Sequence, residues 1–110
     1  QAAQRHADDM RSRKYIAHES PEGFSVLDRI TSTGYLIPFE TCDCRGSYEV
    51  GENIAKGQKS AQEVVTGWMA SEGHRKNILK SSFTEIGIGV SITGSEYYWV
   101  QNFATIRLNP

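Results

Sequence analysis

The chain has 110 residues, 38% hydrophobic and 23% charged, with a formal net charge of −1. That length carries one domain with a real core, and the composition excludes long disorder. With no cluster of Lys and Arg and no interleaved aromatic stripe, nucleic acid is not an expected partner. No apolar run approaches the roughly 18 residues of a membrane span.

The first element is a helix reaching about Lys14, with Ala3, Ala7 and Met10 on one face and Arg5, Asp8 and Asp9 on the others. His6 sits among charged neighbours and reads as a surface residue. No capping residue, initiator Met or signal peptide precedes this helix, so the chain reads as a trimmed segment. Ser20-Pro21-Glu22-Gly23 breaks the pattern. A short second helix follows over about Ser25 to Thr33, capped by Ser25, facing Val26, Leu27 and Ile30 inward and stopping at Gly34.

Residues 35 to 50 read as an irregular connection, part of it extended, carrying Pro38 and the C-x-C pair Cys42 and Cys44. A disulfide between residues two apart requires a tight turn, which Asp43, Arg45, Gly46 and Ser47 favour. Free thiols, a bond to a segment elsewhere, or half of a soft metal site are the alternatives. Ser60-Ala-Gln-Glu63 is a capping-box signature opening a helix whose buried stripe is Val64, Val65, Trp68 and Met69. That helix should end near Ser71-Glu72-Gly73, with a short helical turn from His74 to Leu79.

Thr84 to Thr93 and Glu96 to Thr105 read as two strands joined by the two-residue loop Gly94-Ser95. This register sets Ile86 opposite Phe103, Val90 opposite Trp99 and Ile92 opposite Tyr97 on one face. The other face sets Gly87, Gly89 and Ser91 against Asn102, Val100 and Tyr98. Small residues beside large ones predict that something approaches this backbone closely. Helices on both sides of an antiparallel sheet would do so, giving an α+β fold in three layers.

Five phrases carry the candidate chemistry: Tyr15-x-x-His18-x-Ser-Pro-x-Gly23, Gly51-Glu52-Asn53-Ile54-Ala55, Trp68-Met69-x-Ser71-x-Gly73-His74-Arg75-x-Asn77-Ile78-Leu79, Phe83-Thr84-Glu85-Ile86-Gly87-x-Gly89 and Tyr98-Trp99-Val100-Gln101-x-Phe103. In this order, over nearly the whole chain, they resemble a bacterial member of the CAP superfamily (cysteine-rich secretory proteins, antigen 5, pathogenesis-related 1), also called SCP-like extracellular proteins. The resemblance implies an α-β-α sandwich, here without the family's first helix, and a secreted or cell-surface location. It also implies an open cavity that in some members holds zinc or another divalent ion on two His and two Glu. By position, His18 and His74 resemble the two histidines and Glu52 the first glutamate. Ser71 stands where the second glutamate would be, leaving three metal donors: His18, Glu52 and His74.

Each residue also has a plain structural reading. His18 could bond backbone near a helix end, and Glu52 could hold strand N–H groups. His74 could be a cap, and Glu85 could pair with Arg75 or Lys76. Arg75 and Asn77 could tie their turn to the strand carrying Glu52. Tyr15 could line the cavity mouth or pack on the next turn.

The reading is a secreted, non-enzymatic module with a cavity lined by His18, Glu52, Ser71 and His74. It would bind a divalent ion such as zinc, or a lipid, envelope or protein ligand, as a monomer. The alternative is a metal- or serine-dependent hydrolase using the same groups, although neither G-x-S-x-G nor H-E-x-x-H is present. A bound divalent ion would weaken below about pH 6 as imidazoles protonate.

Overall fold

The computed structural model describes residues 1–35 and 45–109. Pro38, Cys42 and Cys44 lie outside the described residues. Helices α1 (Ala2–Arg13) and α2 (Val26–Ser32) precede strand β1 (Arg45–Lys56). Helices α3 (Ala61–Met69) and α4 (Glu72–Leu79) follow, then strands β2 (Glu85–Thr93) and β3 (Glu96–Asn109). The strands form one antiparallel sheet in the order β1-β3-β2.

The hairpin forms in the anticipated register, with Ile86 opposite Phe103, Val90 opposite Trp99 and Ile92 opposite Tyr97. Gly94 supplies the positive φ that its two-residue loop requires. β1 is the larger surprise. Residues 45–50, read as the end of an irregular and partly extended connection, begin a twelve-residue strand that pairs with β3 from Arg45↔Asn109 to Lys56↔Tyr98. The segment Gly46-Ser47-Tyr48-Glu49 lacks apolar alternation, so its strand state comes from partnership with β3 rather than from its own pattern. The same pairing carries β3 past the expected Thr105.

Parity along β3 separates the two layers. Tyr98 and Val100 meet Ala3, Ala7 and Met10 of α1 on one face. Trp99 meets Val64 and Trp68 of α3 on the other, with Val90 and Ile78 packed alongside. The result is a three-layer α-β-α sandwich. Both caps form: Ser25 and Asp28 make a reciprocal capping box, and Ser60 Oγ accepts from Glu63 N. The Glu63 carboxylate bonds Lys59 N–H.

Several burial expectations change. Val65 is exposed and Met69 half-buried, because α3 turns only a narrow stripe to the sheet. In α2 only Ile30 is buried. His6, read as surface, is buried in the stripe Ala2, Ala3, His6, Ala7 and Met10, since positions three and four apart share a helix face. Glu85 bonds Tyr35, not Arg75 or Lys76; burial, helped by this bond, pushes the Tyr35 phenol up to about 12.

The expected close approach is α1 crossing Gly89, where a Cβ would fall 2.5 Å from Gln4 Cα and N. Gly89→Ala should therefore cost about 3 kcal/mol or more, an overpacking penalty that a helix backbone cannot relax. At Gly87 a Cβ meets nothing within 4 Å, so Gly87→Ala should stay within about 0.5 kcal/mol. Urea denaturation of the two variants checks the contrast; equal losses would show that α1 does not pack there.

Candidate functional site

Glu52 and Asn53 are neighbours on β1, and strand alternation sends their side chains to opposite faces of the sheet. Glu52 enters the α1 side. Its carboxylate is buried, the side chain 1% exposed, and its Oε2 takes a 2.6 Å bond from Arg29 Nη2 on α2. His18 Nδ1 lies 2.9 Å from Oε1. With its amide oriented to satisfy its partners, Asn102 of β3 donates to Oε2 at 2.9 Å and accepts from Ala3 N–H at 3.2 Å. Arg29 Nη1 also donates to the carbonyls of His18 and Phe24. The loop carrying His18 is thus tied to the same guanidinium that neutralises Glu52.

Behind this group lies His6, with Nε2 2.8 Å from the Ala17 carbonyl and 4.0 Å from Glu52 Oε1. A carbonyl only accepts, so Nε2 carries the proton of neutral His6. Burial holds the His6 pKa below its usual 6.5, and nearby Arg29 adds to the effect against Glu52 and Asp9. Tyr15 packs edge-on against His6 and donates to Asp9, so it braces the helix end.

Asn53 enters the opposite face. Its amide donates to the His74 carbonyl (3.1 Å) and to Gln101 Oε1 (3.1 Å). Asn77 of α4 donates to Asn53 Oδ1 and to the Glu52 carbonyl. Asn77 therefore does tie α4 to β1, whereas Arg75 reaches the Met69 carbonyl instead. The His74 ring uses Nδ1 on Ser71 Oγ at 2.8 Å.

The four sequence-designated residues thus form two pairs, His18–Glu52 and Ser71–His74. Among the described residues no group of three His, Cys, Asp or Glu is placed to hold a metal ion. The three-donor set His18, Glu52 and His74 does not fit a divalent cation in this arrangement. Arg29 already occupies the cationic position beside the carboxylate, and Asn53 holds the His74 backbone on the other face. Arg29, Asn102, His6 and Asn53 were not singled out as site residues from the sequence. One available signal was the polar pair Gln101-Asn102 in the apolar middle of β3, which in a central strand demands buried partners on both faces.

A three-layer sandwich with a buried Glu on β1 under a surface His defines the class. The chain belongs to the CAP family (Cysteine-rich secretory protein family), whose model matches residues 1–103. It is 45% identical over 102 residues to YkwD of Bacillus subtilis (strain 168), covering 93% of this chain and 35% of that protein. The membrane protein YlbC of the same organism is 36% identical over 98 residues, covering 89% of this chain and 24% of YlbC. The chain thus spans about a third or less of these curated relatives. Among solved structures, an extracellular protein with an SCP domain from Bacillus anthracis str. Ames superposes with TM-score 0.69 at 32% identity. That match covers 93% of this chain and 30% of the other. An outer surface protein of Borrelia burgdorferi shares the fold, with TM-score 0.73 at 19% identity over 94% of this chain and 70% of its own.

Two outcomes follow. Glu52→Gln should cost about 3 kcal/mol or more, because it strands the Arg29 charge in a buried site; a loss under about 1 kcal/mol would mean the cluster is solvated. Because the folded pKa of His6 lies below its unfolded value, the unfolded state binds the extra proton. Stability is then complete above about pH 6.5 and falls as pH drops below it. Denaturation midpoints between pH 7.5 and 5.5 should show this fall in the wild type and a shallower one in His6→Gln; parallel curves would remove His6 as its source.

Proposed function

We propose that this chain works outside the cell, secreted or surface-displayed, as a non-enzymatic CAP binding module. His18 presents its Nε2 to the ligand, and Glu52 with Arg29 forms the clamp behind it. The observation that carries this reading is the contrast within one hydrogen-bonded pair. The His18 side chain is 58% exposed while that of Glu52 is 1% exposed. Glu52 has Arg29, His18 and Asn102 on its oxygens, so it orients rather than reacts. The extracellular placement follows the likeness to the SCP-domain protein of Bacillus anthracis, which is extracellular. The ligand is an envelope component, a lipid or a protein. A divalent ion would meet one imidazole here, not a three-donor site.

The Ser71–His74 contact favours a second reading, a serine hydrolase. In a Ser-His-acid triad a carboxylate holds the other imidazole nitrogen, and among the described residues Glu52 serves His18 instead. Ser71 also stands as N-cap of α4.

Calorimetric zinc titration of the wild type, His18→Ala and His74→Ala at pH 7.5 separates these readings, together with an ester-hydrolysis assay of Ser71→Ala. The expected result is no submicromolar zinc site and no turnover that Ser71→Ala abolishes. His18→Ala should cost about 1 to 3 kcal/mol, because it removes one hydrogen bond from the buried Glu52 carboxylate, so the titrations are run where each variant is fully folded. Submicromolar zinc binding that requires both histidines, or ester turnover lost in Ser71→Ala, would overturn the proposal.

A further inference from the structure

The side chains gathered around Glu52 leave two polar atoms unanswered. The Ala17 carbonyl fixes the proton of neutral His6 on Nε2, so its Nδ1 is a bare acceptor. Arg29 spends Nη1 on the carbonyls of His18 and Phe24 and Nη2 on Glu52, which leaves Nε–H as a free donor. Both atoms are buried and without a partner among the described residues. Burial of an unpaired donor or acceptor is costly, so each such atom calls for an explanation.

Both residues line one pocket of about 280 Å³ between α1, the loop that follows it and α2. All of its lining falls within residues 5–29, a continuously described segment, and none comes from the face that carries α3 and α4. Phe24 lines it as well yet is 57% exposed, so its ring serves the mouth. Arg13 meets Glu22 at 2.8 Å, joining the helix wall to the loop wall, and both side chains are exposed. An exposed pair of this kind holds weakly and can part to admit a ligand to the buried atoms. Arg13 is neutralised by Asp9 and Glu22, and Arg29 by Glu52. The Arg5 guanidinium, also in the lining, reaches only Gln1 Oε1 among the described residues.

We propose that this pocket binds a neutral saccharide, whose hydroxyls donate to His6 Nδ1 and accept from Arg29 Nε–H while its ring lies on Phe24. A hydroxyl answers a bare acceptor and a free donor alike. A carboxylate has no proton for Nδ1, and an ammonium has no lone pair for Nε–H and would face the uncompensated Arg5. Water shares the hydroxyl chemistry but has no apolar face. A sugar ring does, in its C–H groups, and the exposed Phe24 ring can cover it. The volume lies at the lower end for small-molecule pockets, which suits one sugar ring. His18 does not line this pocket, so the inference is independent of the His18 reading.

The test reads the ¹⁵N resonances of the His6 ring in the whole chain at pH 7.5. Glucose, galactose and N-acetylglucosamine are each titrated to about 100 mM, well above the millimolar affinity that so few contacts support. The expected result is a saturable shift with at least one sugar, in which Nδ1 moves from its bare to its hydrogen-bonded position while Nε2, held by Ala17, stays. Phe24→Ala, a change at an exposed residue that leaves the fold intact, should weaken that binding about tenfold. Leu79→Ala, exposed on α4, should leave it unchanged. Glycerol, which has hydroxyls but no ring, and sodium acetate should each bind at least about tenfold more weakly than the sugar. No saturable response to any of the three sugars overturns the proposal. So does an Nδ1 that is already hydrogen-bonded and unmoved by sugar, which would assign the atom to bound water. Glycerol or acetate matching the sugar, or binding that Phe24→Ala leaves intact, overturns it equally.

Discussion

One buried carboxylate organises half of this molecule. An ion taken out of water costs several kcal/mol unless opposite charge and hydrogen bonds replace its solvent. Glu52 satisfies that demand with groups drawn from every element of its face. Arg29 comes from α2, His18 from the connecting loop and Asn102 from β3, while Asn102 in turn holds the Ala3 amide of α1. Each partner is placed by its own element, so the charge is stable only when all of them are docked. Arg29 extends the constraint by bonding the His18 carbonyl, which is why the exposed imidazole stands in a fixed position on an otherwise irregular loop.

The opposite face uses neutral amides for the same purpose. Asn53, Asn77 and Gln101 bond one another and the His74 backbone. Buried polar groups of this kind are costly when partly satisfied and specific when fully satisfied. Because Glu52 and Asn53 are consecutive on one strand, the charged network and the amide network share a backbone yet never mix. That alternation is the reason the two histidines of the family phrases serve different partners, one a carboxylate and the other a hydroxyl.

Edge chemistry completes the picture. Side chains from α3 and α4 cap outward carbonyls of β1, and a single glutamine from α1 caps one position of β2. Helix α1 can reach that position because Gly89 lets its backbone approach within contact of the sheet. The absent side chain at Gly89 thus controls both the packing of the first layer and the protection of the sheet edge.

The hairpin was legible because its determinants are local: a two-residue Gly loop fixes the register, and the small residues on its glycine face call for a close neighbour, which the tertiary structure supplies as α1. The helix caps at Ser25 and Ser60 were legible for the same reason, each being a side chain bonded within one turn of itself. The family phrases placed His18, Glu52, Ser71 and His74 as residues worth locating. What lay beyond the sequence were properties that depend on partners distant along the chain. β1 is a strand because β3 is there to receive it. His6 is buried because Tyr15 and the His18 loop fold over its helix. Arg29 sits beside Glu52 only through the docking of α2. Local bonding rules can be read from neighbours in the chain, whereas the pairing of buried charges is decided by which surfaces meet, and only the tertiary structure settles that.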